Sequence, residues 1–469
     1  QCYFQRVGRE RLVPVTTPTG KRLTEAADRQ FVTLMLPLVN DCFHMNGSHE
    51  QMTALQVITS LARLDAMRPS SNALLVDPRP DPFAVDMPAL IASAIEVLND
   101  PSQSHRHVSL LQFFERSLPA VLLRWPTAID GMLRVTLFAI DPTDCMKTIS
   151  SLHFLATLLG RVPLVDANDW GGVDTLSEAP TSGAVEWRWP VPGGRMPPLC
   201  DDEVAGVRCQ SSMFSAFVID FFERVLEYIM RIPKPAKGSG VHSFSAHMEA
   251  AAFALMQSNV LLACAQTDSS TYNQVLESLS GFLASQLLND QTKPMKLLVS
   301  AVVRADAATA VPKIVRVLIK RLLPRSLKSG ELHALPLQEE GVSETEAIWY
   351  LNALAAAVRY GGATLLELRP ELEAVTRSAL MDDRGPAIPK LGAKLLRRLL
   401  SALTATYISD DFRICGAEQW KELRNRSGNV SSFKWWGWTK PWWVENKPSI
   451  HWHVASGHEI EWAKELSLG

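Results

Sequence analysis

Between residues 26 and 406, apolar side chains recur at helical spacing, and this constrains the fold more than any other feature of the chain. From Phe214, the set Phe214, Phe217, Val218, Phe221, Val225 and Ile229 advances in steps of three and four, which places it on one helix face. Val311, Ile314, Val315, Leu318 and Leu322 repeat the pattern, followed by Leu354 and Val358, then Leu391, Leu395, Leu399 and Leu403. Strand-type alternation is scarce before Tyr407. The spacing predicts about fourteen helices of ordinary length, so an all-α chain is expected.

Stacked bundles and a solenoid of helix pairs both satisfy such a pattern. Three turns favour the solenoid: Leu98-Asn99-Asp100, Leu288-Asn289-Asp290 and Met381-Asp382-Asp383. Each closes one apolar helix and leads into another. The Asp is placed to support the next helix start, and basic residues follow: Arg106, Lys293 and Lys296, and Arg384. That order is a weak signature of HEAT-type repeats, whose period is about 40–47 residues. The expected fold is an α-solenoid of HEAT/armadillo-like helix pairs, each pair antiparallel and touching mainly its neighbours in sequence.

Composition divides the chain into four parts. Residues 1–165 and 199–406 read as helical repeats. Residues 166–198 form a Gly/Pro/Trp-rich insertion, with Trp170-Gly171-Gly172 and Trp187-Arg188-Trp189-Pro190, too long for a simple connector. A second, polar loop is expected from Ser326 to Ser343. Residues 407–469 hold eight of the 13 tryptophans, so this part reads as a Trp-rich, mostly non-helical segment that leads into a further helix. Gly437 and Pro441 would break a helix there, and Ile450, Trp452 and Val454 alternate as in a strand. The region Ser427 to Val454 is therefore expected to lie extended against the helical array. A helix should start near Ser456, where Glu459 completes a capping box, with Ile460 and Ala463 providing the apolar spacing of its first turn.

Charge excludes several functions. Lys and Arg total 47 against 49 Asp and Glu, a net charge of −2, whereas a general nucleic-acid binder carries a basic surplus. The longest apolar stretch, near 250–265, is broken by Gln257, Ser258 and Asn259, so no membrane span is expected. Seven scattered cysteines without a C-x-x-C pair read as reduced intracellular thiols. The chain opens on Gln1 with no signal-peptide pattern, and reads as a piece of something longer.

No phosphate loop, dinucleotide fingerprint, H-E-x-x-H or G-x-S-x-G elbow is present. The expectation is therefore a protein that is not an enzyme, with no catalytic, cofactor-binding or metal-ligating residues. His451-x-His453 with His458 and Glu459 is the best metal candidate, but the surrounding tryptophans favour packing. A basic stripe carries more weight as a contact for an anion or a partner. Lys313, Arg316 and Lys320 share one helix face, and Arg321 and Arg325 extend the run with no acid between residues 311 and 330. Lys390, Lys394, Arg397 and Arg398 form a second basic set. The bland alternative for both is a solvated helix face. The Trp run Phe433 to Trp443 offers aromatic faces to a cation or nucleobase, but more often such a run wedges a loop against a helical layer.

Four local sequences, in order, resemble one family. Ile140-Asp141-Pro142-Thr143-Asp144 with Lys147-Thr148 comes first, then Val162-Pro163-Leu164-Val165-Asp166. Leu199 to Phe222 with Glu203 follows, and last Ile450-His451-Trp452-His453-Val454 with Ser456, Glu459-Ile460 and Ala463. Together they resemble the middle region of the giant HEAT-repeat proteasome activators. Ala455 stands where the family has Pro, Trp462 where it has Phe, and Gly457-His458 replaces an acidic position. The resemblance implies a segment of a dome that caps the outer ring of the core proteasome without ATP and opens its gate. It also implies ubiquitin-independent degradation of peptides and proteins, including acetylated histones, ties to DNA repair, and residence in nucleus and cytoplasm. No direct nucleic acid or membrane contact is expected. No cofactor is expected either, although the resemblance admits inositol phosphates as ligands. A generic HEAT scaffold or transport adaptor is the alternative, and a hydrolase using the Trp/His-rich tail is a third reading.

Overall fold

A computed structural model describes residues 53–54, 87–124, 128–159, 214–232, 242–265, 267, 269–330, 335–408 and 452–468. The expected insertion at 166–198 and most of the Trp-rich segment lie outside the described residues. The described helices fall into two compact units. The first holds α1 (Met87–Asn99), α2 (Ser104–Arg124), α3 (Ile129–Phe138) and α4 (Cys145–Leu159). There α2 packs on α4 and α1 on α3, so helices two apart form layers.

The second unit begins with α5 (Phe214–Arg231), α6 (His242–Cys264), α7 (Ser269–Ser285), α8 (Thr292–Ala305) and α9 (Ala307–Leu322). It continues through α10 (Pro324–Ser329), α11 (Glu344–Ala357), α12 (Arg369–Leu380), α13 (Ala387–Thr404) and α14 (Gly457–Leu468). The helices α6, α8, α11, α13 and α14 pack in succession as one layer, while α7, α9 and α12 form the other. The tightest packing thus joins next-but-one helices rather than the two members of a pair. This is what stacking of equivalent helices from adjacent repeats produces.

The apolar stripes read from the sequence are buried. Phe217, Val218, Phe221, Val225 and Ile229 of α5 are buried, as are Val311, Ile314, Val315, Leu318 and Leu322 of α9. Helix α11 differs, because every residue from Trp349 to Ala357 is buried. A helix apolar all round is enclosed on all sides, and α11 lies against α8, α9 and α13. Trp349 fixes its register: the indole Nε1 donates to the Leu283 carbonyl at 3.0 Å, and its ring meets Phe282 edge-on. Across the layers, Tyr272 of α7 donates its hydroxyl to the Val302 carbonyl of α8 at 2.8 Å.

All three Asp-bearing turns carry the chain from one layer to the other. Asp100 accepts from the Ser102 amide ahead of α2, and Asp290 opens a single 3-10 turn ahead of α8. Asp382 is buried and paired with Arg384, whose guanidinium also donates to the Val342 carbonyl at 2.6 Å.

Two expectations need correction. The polar loop does not begin at Ser326, because Pro324–Ser329 is helical. The buried Glu340 carboxylate accepts from the Arg325 and Ser326 amides, 15 and 14 residues upstream of it, and caps that helix where no local signature reveals it. Ser456 and Glu459 do form the capping box before α14, yet Ile460 is 41% exposed. The inward face is Glu459, Trp462 and Ala463. Glu459 turns inward because its carboxylate is shared between Ser456 and His453, whose Nε2 lies 3.0 Å away. His453 belongs to a two-residue strand, β2 (Trp452–His453), antiparallel to β1 (Tyr407–Ile408).

Candidate anion-binding surface

The basic stripe singled out in the sequence lies on α9 and α10. Lys313, Arg316, Lys320, Arg321 and Arg325 are all exposed. Two of them already serve the fold. The Lys313 amine donates to Asn273 Oδ1 of α7 at 2.5 Å, and the Arg325 guanidinium donates to the Glu339 carbonyl at 2.5 Å. Arg321 stands in the field of Glu346 and Tyr350. The stripe therefore runs along one layer, partly tied to its neighbours.

The second basic set converges with residues that sequence spacing did not connect. Lys394 of α13 is half-buried and donates to Asn352 Oδ1 of α11 at 3.1 Å. Lys296 of α8 is close enough to act on the same amine. Burial, then Lys296, Arg398 and Arg397, push the Lys394 amine down to about 8. Arg398 is likewise held below its ordinary value by burial and by Arg359 and Arg397. Arg359 follows α11, and its guanidinium lies 5.0 Å from the centre of the Tyr360 ring. Arg304, at the end of α8, reaches the same ring at 5.6 Å. Helices α8 and α13 and the turn that follows α11 thus bring cations to a single surface.

Crowding like charges is unfavourable in the protein alone, and a bound anion relieves it by favouring the charged forms. Lys296, Arg304 and Arg359 were missed because each is an ordinary basic residue on its own helix. Only the packing of α8, α11 and α13 brings them beside Lys394 and Arg398. The histidine cluster of the tail takes a different form: His453 meets Glu459, His458 is exposed, and His451 lies outside the described residues. No group of three or more potential metal ligands occurs among the described residues, and no described helix is long and apolar enough to cross a membrane.

The comparisons agree with this layered, repeat-built fold. The chain is 26% identical over 489 aligned residues to proteasome activator complex subunit 4 of Xenopus laevis, covering 99% of this chain and 23% of that protein. It is 24% identical to subunit 4A of Danio rerio, over 88% of this chain and 21% of that protein. The bovine subunit 4 is 25% identical, over 98% and 22% respectively. The chain therefore spans under a quarter of the length of these curated relatives. Residues 1–467 match the family described as the mid HEAT repeats region of proteasome activator complex subunit 4, and the chain belongs to that family.

Proposed function

We propose that this chain acts as the middle segment of a proteasome activator, a non-catalytic regulator that binds the outer ring of the core proteasome. The observation that carries the reading is the family match over residues 1–467. The two-layered helix array agrees with it, since stacked repeats build extended binding surfaces rather than reactive pockets. In this reading the activator opens the gate without ATP, because binding energy distributed over a wide contact shifts the gate toward its open state. Peptides and proteins such as acetylated histones are then degraded without ubiquitin, in the nucleus and cytoplasm, with a link to DNA repair. Inositol phosphates are ligands that the same reading admits. The test is to tag the protein at its own gene, recover its complexes without nucleotide, and assay them with a fluorogenic peptide. Core proteasome subunits and raised peptidase activity are expected. Recovery without any core subunit would overturn the proposal.

A further inference from the structure

The cations of α8, α11 and α13 are ordered in two rungs. The first crosses Lys296, Asn352 and Lys394, where the Lys394 amine donates to the Asn352 amide oxygen at 3.1 Å. The second crosses Arg304, Tyr360, Arg359 and Arg398, with the Arg304 and Arg359 guanidinium groups both over the Tyr360 ring. Sequence number rises from the first rung to the second on all three helices, so they run in the same direction. At 1.5 Å per residue the rungs lie about 12 Å apart on α8 and about 6 Å apart on α13. Neighbouring helix axes stand about 8–10 Å apart, so the surface extends in two directions.

This spread decides the kind of anion. A compact ion gathers its ligands around one point and would occupy a single rung. An extended polypeptide presents every second side chain on one face, with a repeat of about 6.6 Å. That repeat matches the separation of Lys394 and Arg398 along α13. Carboxylates at alternate positions would meet Lys296 and Lys394 on one rung and Arg359, Arg397 and Arg398 on the other, where guanidinium groups accept bidentate pairing. Asn352 adds a neutral amide to the first rung, so its oxygen does not cancel the positive charge.

We propose that this two-rung surface binds acidic stretches of polypeptide in extended form, with carboxylates at alternating positions. The proposal is independent of any contact with the proteasome. It is tested with the whole 469-residue chain and a fluorescently labelled octapeptide of alternating Glu and Ser, read by anisotropy at low salt. The double variant Lys394→Gln/Arg398→Gln should weaken binding at least about tenfold. Arg316→Gln/Lys320→Gln, on the α9 stripe, should leave it unchanged. If the first variant melts early, Arg359→Gln/Arg397→Gln replaces it, since both side chains are exposed. Loss of binding in these variants and not in the α9 variant supports the site. Equal loss from the α9 variant, or no peptide binding by the unaltered chain, overturns it. Displacement of the peptide by inorganic tripolyphosphate far below the peptide's own half-saturation also overturns it, because the occupant would then be a compact phosphate.

Discussion

Replacing Trp462 by Ala should release α14 from the second unit. The indole is fully buried, and α14 packs mainly on α13. Its Nε1 donates to Glu373 Oε1 of α12 at 2.8 Å, while the Arg369 guanidinium lies 5.9 Å from the ring centre. Arg369 also donates to Glu373 at 2.9 Å and pairs with Glu465 of α14. Truncating a buried Trp costs about 3–5 kcal/mol. The ion pairs add little, because Arg369 and Glu465 are well exposed. Trp462→Phe keeps most of the apolar contact and loses the indole donor, and Glu373 retains Arg369, so about 1–2 kcal/mol is expected. A helix of 12 residues is marginal without tertiary support. Loss of docking should therefore appear as local exchange rather than global unfolding. Hydrogen exchange of the α14 amides should accelerate by about two to three orders of magnitude in Trp462→Ala and by about one in Trp462→Phe. Unchanged exchange in Trp462→Ala, or equal acceleration in both variants, would refute the reasoning.

Gly392→Ala should destabilise by about 1–3 kcal/mol in denaturant titration: a Cβ there would stand 3.1 Å from Ala379 Cβ and 3.2 Å from the α12 backbone. Gly281→Ala, with nothing within 4 Å, should instead stabilise by about 0.5–1 kcal/mol, as the helix propensity of Ala over Gly dictates. Asp382 is pushed up by burial but more strongly held down by its hydrogen bonds from Arg384, so its pKa lies below 3.8. Its contribution is fully present above pH 3.8 and is lost as pH falls through the folded value; Asp382→Asn should cost about 1–3 kcal/mol at pH 7 and flatten the acid limb of the stability curve. Lys394 titrates at about 8 against an ordinary 10.5, so between those values the unfolded chain binds more protons and stability rises with pH. Lys394→Gln should abolish that rise and add about 1 kcal/mol at pH 7, the shift being discounted for solvent screening; melting at pH 7 and pH 10 measures both.

How far the fold could be read in advance depended on how many sides of each helix are covered. Helices α5, α9 and α13 bury one broad face and leave another to solvent, so their spacing declared them. Enclosed α11 offered less contrast: Leu354 and Val358 marked it as helical, but the Ser343–Glu346 capping box that starts it was not read. The Asp-bearing turns were legible for a local reason, because Asp100 caps within two residues of itself. Glu340 was not, and Glu459 was legible in its capping box but not in its burial. Both are carboxylates that the pattern assigns to solvent, and both are buried because their partners, the α10 start and His453, arrive from other segments.

The two basic regions follow the same logic. Lys313 to Arg325 drew attention because they are close in sequence, on α9 and the short α10 after it, yet such proximity gives a row of separately solvated or separately tied charges. Lys296, Arg359 and Lys394 are far apart in sequence and gave no joint signal. In a layer where equivalent helices stack with one shared direction, each repeat contributes one or two side chains to a surface that belongs to none of them. The register of α11 is set by buried contacts such as that of Trp349 with the Leu283 carbonyl of α7, in the other layer. A substitution that shifts this register should therefore scatter the two rungs without touching a single cation. Trp349→Phe removes the register-setting donor while keeping an aromatic core, and it should weaken acidic-peptide binding together with thermal stability. If binding survives intact while stability falls, the rungs are held by the cations' own contacts and not by the layer beneath them.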